Sequence, residues 1–437
     1  MTLLQAFIIV YLVLAGVSLL AYIPKLVGFL DCFKDPKHQQ AEQKRMIGLV
    51  IPARNESTSI GDLFASIKKQ NYDRSYFKVN VIVKDEDDPT IEMAKKMGAN
   101  VLVVPEQTCK GDVLDAFFKS LSPKEMQSYD AFVIVDADCV LAPDYVTELN
   151  NALENEHDVF LTRKFYKNAL GDRTKRSLFS NNSALTWPML DDLGNRYRNL
   201  HGIPLTMCGQ GMMIRRSVVE RLGGWPYRTM TEDYELRLDG LLKGFRSLYW
   251  PFAVLYTEEA LSHKDNYGRR LRWLTGYAQC DIKYKKHIKA QIKANKRMTR
   301  GEYECLYGVA PLISFAVASA IAILAGIVLA IVYGVGHNFA LMWGSILLLI
   351  VLPVAVLYVF LLFYAWLAYR AAREAYASWS FGEKLSTLLF SPVYTLEYIP
   401  IYVHGFVRLF MKARLVWIAP KRERYEGLSS PDENTDQ

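Results

Sequence analysis

The apolar residues of this chain gather toward its two ends, and a patterned middle lies between them. Residues 3–24 form one apolar stretch that ends near Pro24. From Cys305 to Tyr369 there is no Asp, Glu, Lys or Arg, a run of 65 residues. That run is long enough for two membrane helices of roughly 20 residues each, expected at 306–335 and 340–369. The middle, 46–275, alternates short apolar runs with helical stretches. IGLVIP at 47–52, KVNVIVKD at 78–85, ANVLVVP at 99–105 and DAFVIVDAD at 130–138 read as strands. SIGDLFASIKKQ at 59–70 and TIEMAKKMG at 90–98 read as helices. Such alternation predicts an α/β domain with a mostly parallel sheet covered on both faces. Ligands of such sheets bind beyond the carboxyl ends of the strands.

Two further segments frame the membrane region. Residues 276–304 carry many lysines, and Ile288 and Ile292 share one helical face, a pattern that suits a helix lying on the inner leaflet. Residues 385–412 are apolar but contain Glu397, Pro392 and Pro400. An interfacial or re-entrant segment is preferred there over a third C-terminal span, because the basic residues that follow would otherwise lie outside. The expected layout is a membrane helix in 1–30, a catalytic domain in 46–275, an interfacial helix in 276–304, two spans in 305–370, the segment 385–412 and a polar tail in 427–437.

Composition changes the picture only through its arrangement. Of the residues, 51% are hydrophobic and 22% charged, but their segregation excludes an ordinary soluble globule and a disordered chain. The net charge of +7 sits close to the apolar segments, which favours a membrane surface over nucleic acid. Lys25, Lys34, Lys37, Lys44 and Arg45 follow the first apolar stretch. By the positive-inside rule the start of the chain is outside and the middle is cytoplasmic, so the stretch reads as an anchor in the cell membrane rather than a cleaved leader. The six cysteines are scattered without CxxC spacing, which suggests neither a zinc site nor a disulfide framework.

Acidic and basic groups recur where the strands end. Asp136 and Asp138 stand two residues apart, a spacing that can hold a hard divalent cation and the diphosphate it carries. Asp85 can accept a hydrogen bond from a nucleobase or ribose, or lie in a turn that caps the next helix. Arg54 and the amides of the Pro52–Glu56 loop can meet an anion at a helix start, or the loop can be an ordinary helix cap by Asn55 or Ser57. Asp233, in Thr231-Glu232-Asp233, can serve as a general base or as a helix cap. Arg269, Arg270 and Arg272 can offset diphosphate charge, and Trp273 offers a flat face to a sugar ring.

The order of these signals carries more than any one of them. IPARNES, VKDEDDPT, KGDVLDAFF, VDADC, CGQGMMIRR, GGWPYRTMTEDYELRL and RRLRW occur in that order before the membrane helices. This resembles the membrane-embedded family 2 glycosyltransferases, whose relatives include cellulose, hyaluronan and chitin-oligosaccharide synthases. The resemblance implies a GT-A fold, a UDP-sugar donor, Mg2+ or Mn2+ and an inverting transfer. It would place Asp85 at the uracil with Pro52 and Glu56, and Lys110 near the donor. Asp138 and Asp136 would address the metal and diphosphate, and Arg272 the diphosphate. Asp233 would be the base, with Trp273, Glu232 and Arg269 on the acceptor side. Arg269 replaces the glutamine that opens the family's QxxRW motif, and Asp85-Glu86-Asp87-Asp88 departs from the usual acidic-glycine turn. The leading expectation is a processive β-polysaccharide synthase. The alternative is addition of one sugar to a lipid-linked acceptor; a transporter or a pseudoenzyme fits less well. Membrane lipids are expected partners, nucleic acid is not, and an export partner or a homo-oligomer is compatible with the layout.

Overall fold

The computed structural model describes residues 2–34, 36–167, 176–258 and 263–410. The polar tail 427–437 and the basic residues from 412 onward lie outside the described residues.

The runs that read as strands pair in one sheet because both of their faces are apolar. β1 (Ile47–Pro52) pairs in parallel with β2 (Phe77–Val83) and β4 (Ala131–Ile134), and β2 pairs with β3 (Asn100–Val103). Leu49 and Ile51 pack on one side of the sheet with Ile60, Leu63 and Val81. Val50 points to the other side, toward Leu114, Phe132 and Leu236. Four further strands complete the described sheet: β5 (Val140–Leu141), β6 (Val159–Tyr166), β7 (Met212–Arg215) and β8 (Ser247–Thr257). The order is β3-β2-β1-β4-β7-β6-β8-β5. β7 runs antiparallel to both β4 and β6, and β5 antiparallel to β8. The sheet is therefore mixed, less parallel than its first four strands suggest.

Three helical stretches are long and apolar enough to cross a membrane: Leu3–Phe33, Arg300–Val335 and Phe339–Ala371. They pack through Tyr11, Ala15, Phe315, Ala318, Ala322 and Leu349. Their outer faces leave Val17, Leu324 and Val335 more than half exposed, a surface suited to hydrocarbon. Pro24 does not end the first helix, which runs from Leu3 to Leu30. Beyond the proline, Phe29 packs on Tyr197, with ring centroids 5.3 Å apart.

Two boundaries differ from the sequence expectation. One helix, His263–Asn295, spans 33 residues, so residue 276 falls inside an element rather than between two. The face bearing Ile288 and Ile292 does not turn to lipid: it packs with Leu238, Tyr234 and Cys305. The neighbouring Glu232–Lys243 and Arg300–Tyr307 helices supply the apolar partner that periodicity alone assigns to a leaflet. Residues 385–408 fall in two shorter helices, Phe381–Leu396 and Tyr398–Phe410, divided at Glu397.

Candidate active site

Parallel register brings the carboxyl ends of β1, β2 and β4 to one edge of the sheet. Pro52 ends β1 opposite Ile82, and the Val135 N–H donates to the Val50 carbonyl at 3.0 Å. The loop after Pro52 turns through Asn55, which has φ 56°, a left-handed conformation that Asn adopts more readily than most residues. The Asn55 N–H donates to Asp88 Oδ2 at 2.8 Å, and the Thr90 N–H donates to Asp88 Oδ1 at 2.9 Å. Asp88 is 4% exposed. It thus braces the loop against the acidic turn and caps the next helix. Glu56 is buried and accepts from Ser59 Oγ at 2.7 Å. Asp85 is exposed, and its carboxylate has no hydrogen bond or ion pair among the described residues.

A second group of residues closes around Gly209. Lys110 opens the Lys110–Ser120 helix and sends Nζ to Asp136 Oδ1, 2.5 Å away. Glu232 and Asp233 open the Glu232–Lys243 helix. Asp233 Oδ2 accepts from the Gly209 N–H at 2.6 Å, and Oδ1 from the Tyr234 N–H at 2.7 Å. A methyl group at Gly209 would lie 3.2 Å from Lys110 Nζ and 3.5 Å from both Asp233 Oδ2 and Glu232 Oε1. The absent side chain is what lets these three groups surround one point. Gly276 plays a similar part behind them, since a methyl there would meet Thr231 at 2.6 Å. That contact seats the Arg272-bearing helix against the start of the Glu232–Lys243 helix.

The electrostatics follow from this crowding. Burial, then the like charge of Asp233, push Glu232 up to about 7, against the pull of Lys110. Burial also raises Asp233, although the Tyr234 N–H and the Lys110 charge offset part of the rise. Burial disfavours the Lys110 ammonium, yet Asp136 and Glu232 outweigh it and hold its pKa above the ordinary lysine value. The Arg272 guanidinium acts by charge on both Glu232 and Asp233. It forms no ion pair among the described residues.

Asp138 follows Asp136 by two residues and is 9% exposed. Among the described residues no group of three or more His, Cys, Asp or Glu is arranged to hold a metal alone. A Mg2+ or Mn2+ bound with a diphosphate needs only one or two protein carboxylates. The hard oxygens of Asp138 and Asp136 suit that role.

Trp273 lies beside this group in an aromatic shelf. Its ring centroid is 6.5 Å from that of Trp187, and Trp187 is 5.8 Å from Tyr166. The Arg269 guanidinium stands 5.1 Å from the Trp273 centroid and 5.9 Å from that of Tyr166. Lys164 Nζ, fully buried and 3.0 Å from Asp191 Oδ2, lies over the Trp187 ring at 5.2 Å. The structure therefore gathers Lys110, Asp136, Glu232, Asp233 and Arg272, with Trp273 and Arg269 adjoining. Pro52, Glu56 and Asp85 form a separate part of the same sheet edge.

Sequence reasoning missed Gly209 and Trp187, while the acidic turn it read as a cap for the next helix does so through Asp88. The CGQG motif and its place before a strand are the one signal that could have found Gly209. Nothing local marks Trp187, which is brought to Trp273 by tertiary packing.

Residues 131–372, more than half of the chain, match the family described as "Glycosyl transferase family group 2". The "Probable glycosyltransferase YdaM" of Bacillus subtilis (strain 168) is 22% identical over 247 residues, 54% of this chain and 56% of that protein. The "Poly-beta-1,6-N-acetyl-D-glucosamine synthase" of Staphylococcus aureus (strain COL) is 25% identical over 235 residues, 53% of this chain and 54% of that protein. The chain thus spans about half the length of the curated relatives it matches. Among solved structures, a mannosyltransferase from Pyrobaculum calidifontis, solved with GDP-Man and Mn2+, aligns with a TM-score of 0.50. It covers 94% of this chain and 100% of its own at 16% identity, a likeness of fold. With the mixed sheet and the family match in agreement, the chain belongs to glycosyl transferase family group 2 and has a GT-A-like fold.

Proposed function

We propose that this protein is a membrane-bound, inverting glycosyltransferase that extends a polysaccharide processively from a UDP-sugar. The observation that carries this reading is the convergence of Lys110, Glu232 and Asp233 on Gly209, with Arg272 in electrostatic reach and Trp273 alongside. The three apolar helices cross the cell membrane, and the catalytic domain is cytoplasmic.

In this mechanism the uracil lies at Asp85, with Pro52 and Glu56 lining the same end. Lys110 and Arg272 face the diphosphate and offset the charge that grows on it as the sugar leaves. Asp138 and Asp136 would hold Mg2+ or Mn2+, which supplies further charge neutralisation when bound. The acceptor sugar stacks on Trp273, with Arg269 and Glu232 at its edge. Its hydroxyl proton passes to Asp233 as the oxygen bonds to the anomeric carbon, and the bond from that carbon to the phosphate oxygen breaks to release UDP. Two backbone N–H groups fix Asp233, and burial raises its pKa above the ordinary carboxylate value, in the direction that makes it a stronger base.

Purified protein given single UDP-sugars with Mg2+ or Mn2+ should release UDP and build long product. Release of UDP with only single-sugar addition would overturn the processive reading. The guanidinium of Arg269 over Trp273 favours one second reading, in which the acceptor carries a phosphate on a lipid. Label recovered in organic extract rather than in polymer would select it.

A further inference from the structure

A second charged cluster lies between the membrane-facing helices and the catalytic domain, and the proposed transfer does not use it. Lys25, on the first apolar helix, pairs with Glu304 Oε1. Arg198 Nη2 lies 3.7 Å from the same oxygen. Arg237 sits on the Glu232–Lys243 helix, one turn beyond Asp233, and is 6% exposed. Arg198 and Arg237 lie within Coulomb reach of each other, and both reach Glu304. Three cations therefore surround one carboxylate in a largely buried place.

The donors of this cluster are unmet. Neither the Arg198 nor the Arg237 side chain makes a hydrogen bond among the described residues, and the Nε of each is buried without an acceptor. The Tyr234 ring lies 5.4 Å from the Arg237 Cζ. His201 Nε2, on the ring that packs 4.5 Å from Tyr197, is likewise buried and unpartnered. A guanidinium cannot shed its proton to relieve burial, and here three cations share one carboxylate, which leaves an excess of positive charge in a largely buried place that costs free energy until an anion offsets it. The arrangement is that of a site whose anion completes it.

We propose that Arg198 and Arg237, with Lys25 behind them, bind one phosphate group, and that its source is the headgroup of an anionic membrane lipid. Forked N–H donors match phosphate oxygens. Lys25 and Glu304 stand toward the polar ends of the two helical stretches Leu3–Phe33 and Arg300–Val335, which sets the cluster at headgroup level. The assignment goes beyond the donor and acceptor reading and does not depend on it.

The test is thermal unfolding of the full chain, purified and stripped of lipid, with phosphatidylglycerol, phosphatidylcholine or inorganic phosphate added. A ligand that binds only the folded state raises its melting temperature. Phosphatidylglycerol should raise it by several degrees and phosphatidylcholine should not, and the Arg198→Gln/Arg237→Gln double variant should lose the response. Arg237→Met alone should raise the melting temperature of lipid-free protein while weakening the response, and it carries the test if the double variant does not fold. Equal shifts with both lipids, or an undiminished phosphatidylglycerol shift in the variants, would overturn the site. Protection by inorganic phosphate at the same concentration as phosphatidylglycerol would overturn the lipid source. The readout needs no turnover, so its failure and that of the transferase reading are separable.

Discussion

Replacing Glu232 by glutamine separates the two acidic groups at the centre. The substitution keeps the size of the side chain and removes one negative charge beside Asp233. The rise of Glu232 from its ordinary 4.5 to about 7 corresponds to about 3 kcal/mol at 1.36 kcal/mol per pH unit. The sign follows from linkage. The folded state holds this proton more tightly than the unfolded chain, so the penalty is absent below pH 4.5 and fully present above about pH 7. Glu232→Gln should therefore be the more stable protein at alkaline pH, by up to about 3 kcal/mol, and match wild type in acid. In catalysis the wild-type acid limb, set by the pair, should fall near neutral pH. The variant's limb should move down, because Asp233 no longer shares its site with a second acidic group. UDP release at saturating donor, followed across the pH range with melting curves at the same values, reads both effects. An acid limb that stays in place refutes the coupling. Loss of all turnover together with the limb would make Glu232, not Asp233, the proton acceptor.

Asp233→Asn should lower turnover by about 100-fold or more while equilibrium binding of the UDP-sugar persists; residual turnover within a few-fold of wild type would remove Asp233 from the role of base. Gly209→Ala places a methyl 3.2 Å from Lys110 Nζ and should cut turnover about 10-fold or more with little loss of melting temperature, as steady-state kinetics on folded protein will show. Asp88→Ala leaves the Asn55 N–H and the buried Thr90 N–H without their acceptor. It should cost about 1–3 kcal/mol and raise the donor KM more than it changes kcat.

The first four strands are readable because their apolar runs are continuous; β1, β2 and β4 lie in the interior of the sheet, covered on both faces, and β3 at its edge is half-buried. β6 is hidden for a physical reason: its middle holds Arg163 and Lys164, which periodicity assigns to water. In the fold Lys164 lies 3.0 Å from Asp191 and Arg163 Nε 2.9 Å from Asp192. Partners 27 and 29 positions away in the chain neutralise what a local window counts as polar. The candidate site shows the same division. The residue types of Asp136, Asp138, Glu232 and Asp233 stand out in sequence, but that Lys110 and Asp233 meet at Gly209 depends on a backbone approach no motif spells out. The apolar face of Ile288 was ambiguous in the same way, since a leaflet and a neighbouring helix demand the same periodicity.

The 33-residue helix His263–Asn295 extends about 50 Å at 1.5 Å per residue. Its first half bears Arg272 and Trp273, and Leu271 and Leu274 lock it to Ile401 of a C-terminal helix. Because Gly276 meets Thr231 with no intervening side chain, this strut and the segment bearing Asp233 share a rigid joint. A displacement of the C-terminal helices therefore moves Arg272 and Asp233, the proposed leaving-group cation and proton acceptor, as a unit, so their spacing is insulated from whatever the bilayer does.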